Sequence, residues 1–233
     1  MLLQSHSRVY KVSTKLGVNV KIAGVVLAGG QSTRMGADKA TLTIDQHTLL
    51  ARAVALLKTA GFDDCFVSGD YQGFNCILDQ QAYLGPIAGI AACASHLSGK
   101  YDAMFIIPVD MPLLASQDCQ YLLQCFGQQF ITQQLTAQQS TIEDSSKLGV
   151  YYKQATFPML LSLNKTLLDY LAEVVTSPHK KHRSLYRLLE TLDIKGVDQK
   201  EVDAFRFENT NTPEQWQRCL ATYAMMQSKL IIK

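Results

Sequence analysis

The sequence predicts an α/β fold in which a mostly parallel central sheet is covered by helices on both faces. Three observations carry this reading. Short apolar runs rich in β-branched residues recur at positions 22–28, 64–68 and 103–109, as buried strands require. Between them, residues 48–59 and 86–97 set Leu, Ala and Ile at helical spacing. Finally, this β-α-β-α alternation calls for parallel strands, because parallel neighbours need crossover connections and those crossovers are the helices.

The first strand covers residues 22–28 and runs into a glycine-rich turn. The helix at 48–59 leads to the second strand, whose centre reads Cys-Phe-Val. Pro86 opens the next helix, a position where its missing N–H would have no partner in any case. The third strand ends in Ile106-Ile107-Pro108-Val109-Asp110. Beyond it the pattern is less regular. Positions 117–139 hold nine glutamines in 23 residues, and are read as a helix around 121–126 passing into a polar strand. Residues 136–147 are expected as a surface loop, 157–163 as a strand, and 165–175 and 183–191 as helices. A strand at 204–208 and a closing helix at 212–226, with Thr212 as N-cap and Pro213 in the first turn, complete the chain.

Composition narrows the function classes. The 233 residues are 47% apolar and 18% charged, an ordinary globular balance. A chain of this length buries about 70% of its unfolded surface, so a metal would serve chemistry rather than folding. Lys and Arg number 22 against 20 Asp and Glu, too even a balance for a nucleic-acid-coating protein. No apolar run is long enough to span a bilayer, and the polar start MLLQSHSRVYK lacks a secretory core, so a cytoplasmic protein without membrane contact is expected. Six cysteines form no CxxC pair, and neither zinc nor a redox centre is suggested. The domain expectation is a single unit over 22–233, preceded by an extension at 1–21.

The chemistry-bearing segments lie where strands end. LAGGQSTRMGADK, from Leu27 to Lys39, follows the first strand. A glycine-rich turn at the carboxyl end of a buried strand presents backbone N–H groups that cradle phosphate or a base edge. Leu27, Ala28, Gly29 and Gly30 are therefore candidate nucleotide contacts, and Arg34 and Lys39 add positive charge for a triphosphate. The segment is neither GxGxxG nor a Walker loop. Asp110 puts a carboxylate at the end of the third strand, where Mg²⁺ can take one carboxylate together with phosphate oxygens and water. A cap on the following helix is the alternative reading of this carboxylate. His179, Lys180, Lys181, His182, Arg183 and Arg187 form the strongest local basic cluster, open to an anionic ligand or to plain solvation.

LAGGxSxRMGxDK resembles the signature of the molybdenum cofactor guanylyltransferases. Also similar are LGPIAGI at 84–90, the Val-Asp-x-Pro segment at 109–112 and NTNTPE at 209–214. The resemblance spans residues 22–217. It implies a three-layer Rossmann-like nucleotidyltransferase fold, and transfer of GMP from GTP to molybdenum-bearing molybdopterin with release of pyrophosphate. It also implies Mg²⁺ held by Asp110, a nucleotide site that includes Asp79, Gly85 and Gly89, and acceptor contacts from Lys181, Arg183, Asn209 and Asn211. Transient contact with molybdenum insertion proteins or apo-molybdoenzymes belongs to the same expectation. Two positions depart from the pattern: Ser68 stands where some relatives carry Asn, and Phe157 where many carry His. Cytidylyl transfer to the same acceptor, or a non-catalytic relative that only binds nucleotide, remain the alternatives.

Overall fold

The computed structural model describes residues 11–13, 19–29, 38–79, 84–137, 149–198 and 203–231. Its centre is strand β2 (Asn19–Leu27), whose Ala23, Val25 and Val26 are wholly buried. A short strand β1 (Lys11–Ser13) pairs antiparallel with the first residues of β2. After a 3-10 turn at Lys39–Thr41 comes a small hairpin, β3 (Thr43–Ile44) and β4 (His47–Thr48). Its two turn residues, Asp45 and Gln46, have φ of 48° and 65°, the left-handed pair that a tight two-residue connection requires.

Helix α1 (Leu49–Ala60) is capped by Thr48, whose hydroxyl accepts from the Ala51 N–H at 3.1 Å. Strands β5 (Cys65–Ser68) and β6 (Cys76–Ile77) lead into α2 (Pro86–Leu97) and then β7 (Ala103–Pro108). The chain continues through α3 (Ser116–Ala137), β8 (Gly149–Tyr152), β9 (Met159–Ser162) and α4 (Lys165–Thr176). A 3-10 turn at Lys180–Arg183, α5 (Leu185–Thr191), β10 (Lys195–Val197), a 3-10 turn at Ala204–Phe207 and α6 (Pro213–Ile231) complete it.

The sheet order is β10-β8-β9-β7-β2-β5-β6. Strands β7, β2, β5 and β6 run parallel to one another, whereas β9 is antiparallel to both β7 and β8. Helices α1 and α3 pack together, as do α2 and α4. Right-handed crossovers on either side of β2 put these two pairs on opposite faces. The fold is thus the three-layer α/β arrangement that the sequence predicts. The chain leaves β2 toward β5 and returns to its other side as β7, so the carboxyl ends of β2 and β7 flank a topological switch point, where ligands bind in open α/β sheets.

Two expectations are corrected. The glutamine-rich segment does not turn into a polar strand: α3 stays helical to Ala137, since glutamine favours helix and Cys119, Leu122, Leu123 and Phe126 bury one face at i, i+3, i+4 and i+7. The loop expected after it lies almost wholly outside the described residues. In place of the strand expected at 204–208, Ala204–Phe207 form a 3-10 turn. The Phe205/Phe207 alternation imitates strand periodicity, but Arg206 and Glu208 donate their N–H groups to Asp203 and Phe205 carbonyls at 3.0 and 3.2 Å. Strands β8 and β10, and the β3–β4 hairpin, have no counterpart in the sequence reading.

Candidate active site

Three strand ends build the site. Leu27 closes β2, and the Ala28 and Gly29 N–H groups donate to the Ser68 carbonyl at the end of β5, at 3.2 and 2.8 Å. The glycine turn is thereby tied to the sheet before it leaves it. Among the described residues a Cβ on Gly29 would meet nothing closer than that carbonyl at 3.4 Å, so their packing does not demand glycine there. Its missing side chain leaves room on the cavity side.

Lys39 reaches the site from the 3-10 turn that Asp38 caps, its carboxylate accepting from the Ala40 N–H at 2.9 Å. The Lys39 ammonium donates to Asp110 Oδ2 at 2.7 Å and to Asn211 Oδ1 at 2.5 Å, with both charged side chains mostly shielded from solvent. Charge-assisted bonds of this kind are the stronger class. Asp110 stands just past β7. Its own carbonyl accepts from the Thr210 N–H at 2.9 Å and from the Thr210 hydroxyl at 3.3 Å, which docks residues 209–212 against the strand end.

That docking continues into α6. Gln215 Oε1 accepts from the Asn211 and Thr212 N–H groups at 2.7 and 3.2 Å, while the Thr212 hydroxyl accepts from the Gln215 N–H at 3.3 Å. This is a capping box, and its T-x-x-Q spacing is visible in the sequence. A second anchor lies on the preceding turn. Arg206 Nη1 is 3.3 Å from Oδ1 of the fully buried Asp118, whose Oδ2 accepts from the Ala115 N–H at 2.9 Å. Burial pushes the Asp118 carboxyl above the usual range, opposed by the Ala115 N–H and by Arg206.

Together these elements enclose an open cavity of about 370 Å³ lined by Leu27, Ala28, Gly29, Lys39, Asp79, Gly85, Gly89, Asp110, Asn209 and Asn211. These ten are residues singled out in the sequence; Ser68, Pro86, Pro108 and Val109 line the cavity with them. Gly30 and Arg34 lie outside the described residues. Lys181 and Arg183 do not line the cavity, although Leu185, just beyond them, does. Thr156, Phe157 and Leu185 complete the wall on the β9 side, where Phe157 is buried and precedes a cis Pro158.

Two glycines differ in what they do. Gly85 has φ of +76°, and among the described residues nothing lies within 4 Å of its absent Cβ, so its backbone conformation is what calls for glycine. Gly89 is a packing glycine: a Cβ there would sit 2.6 Å from Ser68 Oγ. Ser68, buried and hydrogen-bonded toward the Cys93 thiol, fills the space between β5 and α2.

The sequence reading missed Tyr71. Its hydroxyl lies 3.1 Å from the Ala28 carbonyl and 3.0 Å from Asp38 Oδ2, bracing both ends of the glycine loop. Burial and the Asp38 carboxylate push its phenol well above the ordinary value. No local pattern marks such a residue, because its partners are 33 and 43 positions away.

The model of the MobA-like NTP transferase domain matches residues 24–195. The chain belongs to that family. Among its curated relatives, the molybdenum cofactor guanylyltransferase of Xanthomonas euvesicatoria is 32% identical over 197 residues, covering 84% of this chain and 93% of the relative. A probable molybdenum cofactor guanylyltransferase of Rhodopirellula baltica is 29% identical over 82% of this chain and 88% of its own length. The crystal structure of molybdopterin-guanine dinucleotide biosynthesis protein A from Archaeoglobus fulgidus shares the fold with a TM-score of 0.59, at 18% identity over 87% of this chain and 99% of that one. In this MobA-like chain the matched region takes in the glycine turn, Lys39, Asp79, Gly85, Gly89 and Asp110, whereas Asn209 and Asn211 lie beyond it.

Proposed function

We propose that this MobA-like protein transfers GMP from GTP to the terminal phosphate of molybdenum-bearing molybdopterin, releasing pyrophosphate. The observation that carries the reading is the meeting of Gly29, Lys39 and Asp110 in one cavity at the switch point of the sheet. Its support in kind is the naming of the curated relatives.

The chemistry needs no protein nucleophile. An acceptor phosphate has a second pKa near 6, so its oxygen is already anionic at neutral pH. That oxygen attacks the α-phosphorus of GTP; the new P–O bond forms as the bond to the bridging α,β-oxygen breaks, and the electron pair leaves on pyrophosphate. The protein's work is positioning and charge neutralisation. Gly29 lets backbone approach the nucleotide. Lys39, held at the strand end, faces the charge that builds on the leaving group, a contribution of about 3 kcal/mol when one such electrostatic contact is removed.

Asp110 fits a Mg²⁺ ion by the chemistry of its donors. It offers a hard carboxylate beside the seat of a triphosphate, and Mg²⁺ needs only one or two carboxylates when phosphate oxygens and water supply the rest. Among the described residues no group of three or more His, Cys, Asp or Glu side chains gathers into a cage, in keeping with a shared site. Asp110 would hold the ion, whose charge would offset that of the triphosphate, and Lys39 would add a fixed cation. For the acceptor, Thr156, Phe157, Leu185 and Asn209 offer an apolar wall with polar edges, suited to a flat heterocycle. Lys181 and Arg183, near Leu185 in the chain, complete the acceptor set as the outer cations.

The test is pyrophosphate release with Mg²⁺ and molybdenum-loaded molybdopterin, comparing GTP, CTP and ATP. GTP-selective, acceptor-dependent release supports the reading. Equal use of CTP, or nucleotide binding without release, overturns it.

A further inference from the structure

We propose that Asn211 is a positioning residue for Lys39 instead of a reader of the acceptor ring, the role its motif implied; this rests on the nucleotide-transfer reading above. A lysine ammonium has only donors, so the amide atom 2.5 Å from Lys39 Nζ must be the oxygen, which fixes the side chain's orientation. That oxygen is engaged on the nucleotide side of the cavity.

Asn211 is itself firmly held. Its N–H is bound by Gln215 Oε1 at 2.7 Å, and its neighbour Thr210 is buried and bonded twice to the Asp110 carbonyl. The side chain that grips Lys39 therefore springs from backbone pinned to the strand end that carries Asp110. The same C-terminal segment grips the Lys39 region a second time, further along. Tyr223 of α6 donates its hydroxyl to Asp45 Oδ2 at 2.6 Å in the hairpin that follows Lys39, and the Arg52 guanidinium lies 4.9 Å from the Tyr223 ring centre.

The choice of amide has a physical reason. Lys39 is a point charge on a flexible four-carbon stem, and holding it beforehand removes the ordering cost that phosphate binding would otherwise carry. A neutral amide does this without cancelling the charge. A carboxylate at the same place would set a second anion beside Lys39 and repel the triphosphate.

The experiment is a double-mutant cycle on the full chain, with Asn211→Ala, Lys39→Met and both together. GTP binding with Mg²⁺, without acceptor, is measured by calorimetry, and urea unfolding of the ligand-free proteins is measured alongside. Asn211→Ala should weaken GTP binding roughly 10-fold, as for one hydrogen bond to a charged group, and the double variant should bind no worse than Lys39→Met. The unfolding midpoints should be non-additive. Asn211→Asp should keep that unfolding coupling while losing GTP affinity, which separates geometry from charge. In turnover assays the KM for the acceptor should stay at the parent value in Asn211→Ala. Parent-like GTP binding with a raised acceptor KM would overturn the proposal, as would additive unfolding. If the parent protein binds no GTP, the guanylyl reading fails and the unfolding cycle still decides whether Asn211 holds Lys39.

Discussion

Substituting Gly89 by Ala tests how β5 and α2 form the nucleotide wall. The added Cβ would lie 2.6 Å from Ser68 Oγ, 3.3 Å from Leu27 Cδ2 and 3.5 Å from Ser68 Cβ. Only the first contact is prohibitive. Overpacking a buried site costs about 1–3 kcal/mol, while Gly→Ala within a helix returns about 1 kcal/mol. The single variant should therefore lose about 1 kcal/mol. Ser68→Ala removes the clashing oxygen at the expense of its bond to Cys93, worth about 1 kcal/mol. In the double variant the remaining contacts are ordinary or yield by a few tenths of an ångström, so the helix gain is recovered. Urea unfolding followed by far-UV circular dichroism should show a favourable coupling of about 1–2 kcal/mol between the two changes. Effects that add within about 0.5 kcal/mol would refute the packing account of Gly89. If packing is its whole role, GTP KM should recover in the double variant as well.

Further outcomes follow from the same contacts. Asp118→Ala leaves the Arg206 guanidinium without its carboxylate and the Ala115 N–H without an acceptor, and should cost about 3 kcal/mol in urea unfolding while lowering kcat through the loosened 203–212 segment. Burial pushes the Cys65 and Cys219 thiols from the ordinary 9.0 up to about 11 and the Cys93 thiol up to about 12. Because these folded values lie above the unfolded one, the stabilisation is fully present below pH 9 and is lost as pH rises through the folded values. Each thiol should forfeit about 1.4 kcal/mol per pH unit above about 9, read as a falling urea midpoint between about pH 9 and 11. In native protein the half-buried Cys76 and Cys125 should alkylate with iodoacetamide before the wholly buried Cys93 and Cys119, as mass spectrometry of timed samples would show.

Much of the fold was legible because burial writes itself into composition. Strands β2, β5 and β7 are buried on both faces and read as continuous apolar runs, and α1, α2 and α4 read from helical spacing. Strand β9 was visible but its direction was not, since a buried strand looks alike whichever way it runs. Strands β8 and β10 hold four and three residues, too few to show a period. Residues 204–208 misled because their alternation arises from a 3-10 turn held by Arg206.

The site divides in the same way. Lys39 and Asp110 were legible because each belongs to the segment that follows a buried strand, and the sheet brings such ends together. Lys181 and Arg183 form a cluster that spacing alone cannot aim, and they do not line the cavity. The bond from Lys39 to Asn211 spans 172 positions, and only the folded chain reveals it.

On the function proposed above, the carboxylate at the end of β7 serves guanylyl transfer in the cavity it borders. The most direct measurement is acceptor-dependent pyrophosphate release from GTP by the parent protein and by Asp110→Ala, with urea unfolding confirming that the variant is folded. A folded Asp110→Ala should lose at least about 100-fold in kcat, the scale of removing one preorganised electrostatic contact. A folded variant that releases pyrophosphate at the parent rate would contradict that role of Asp110.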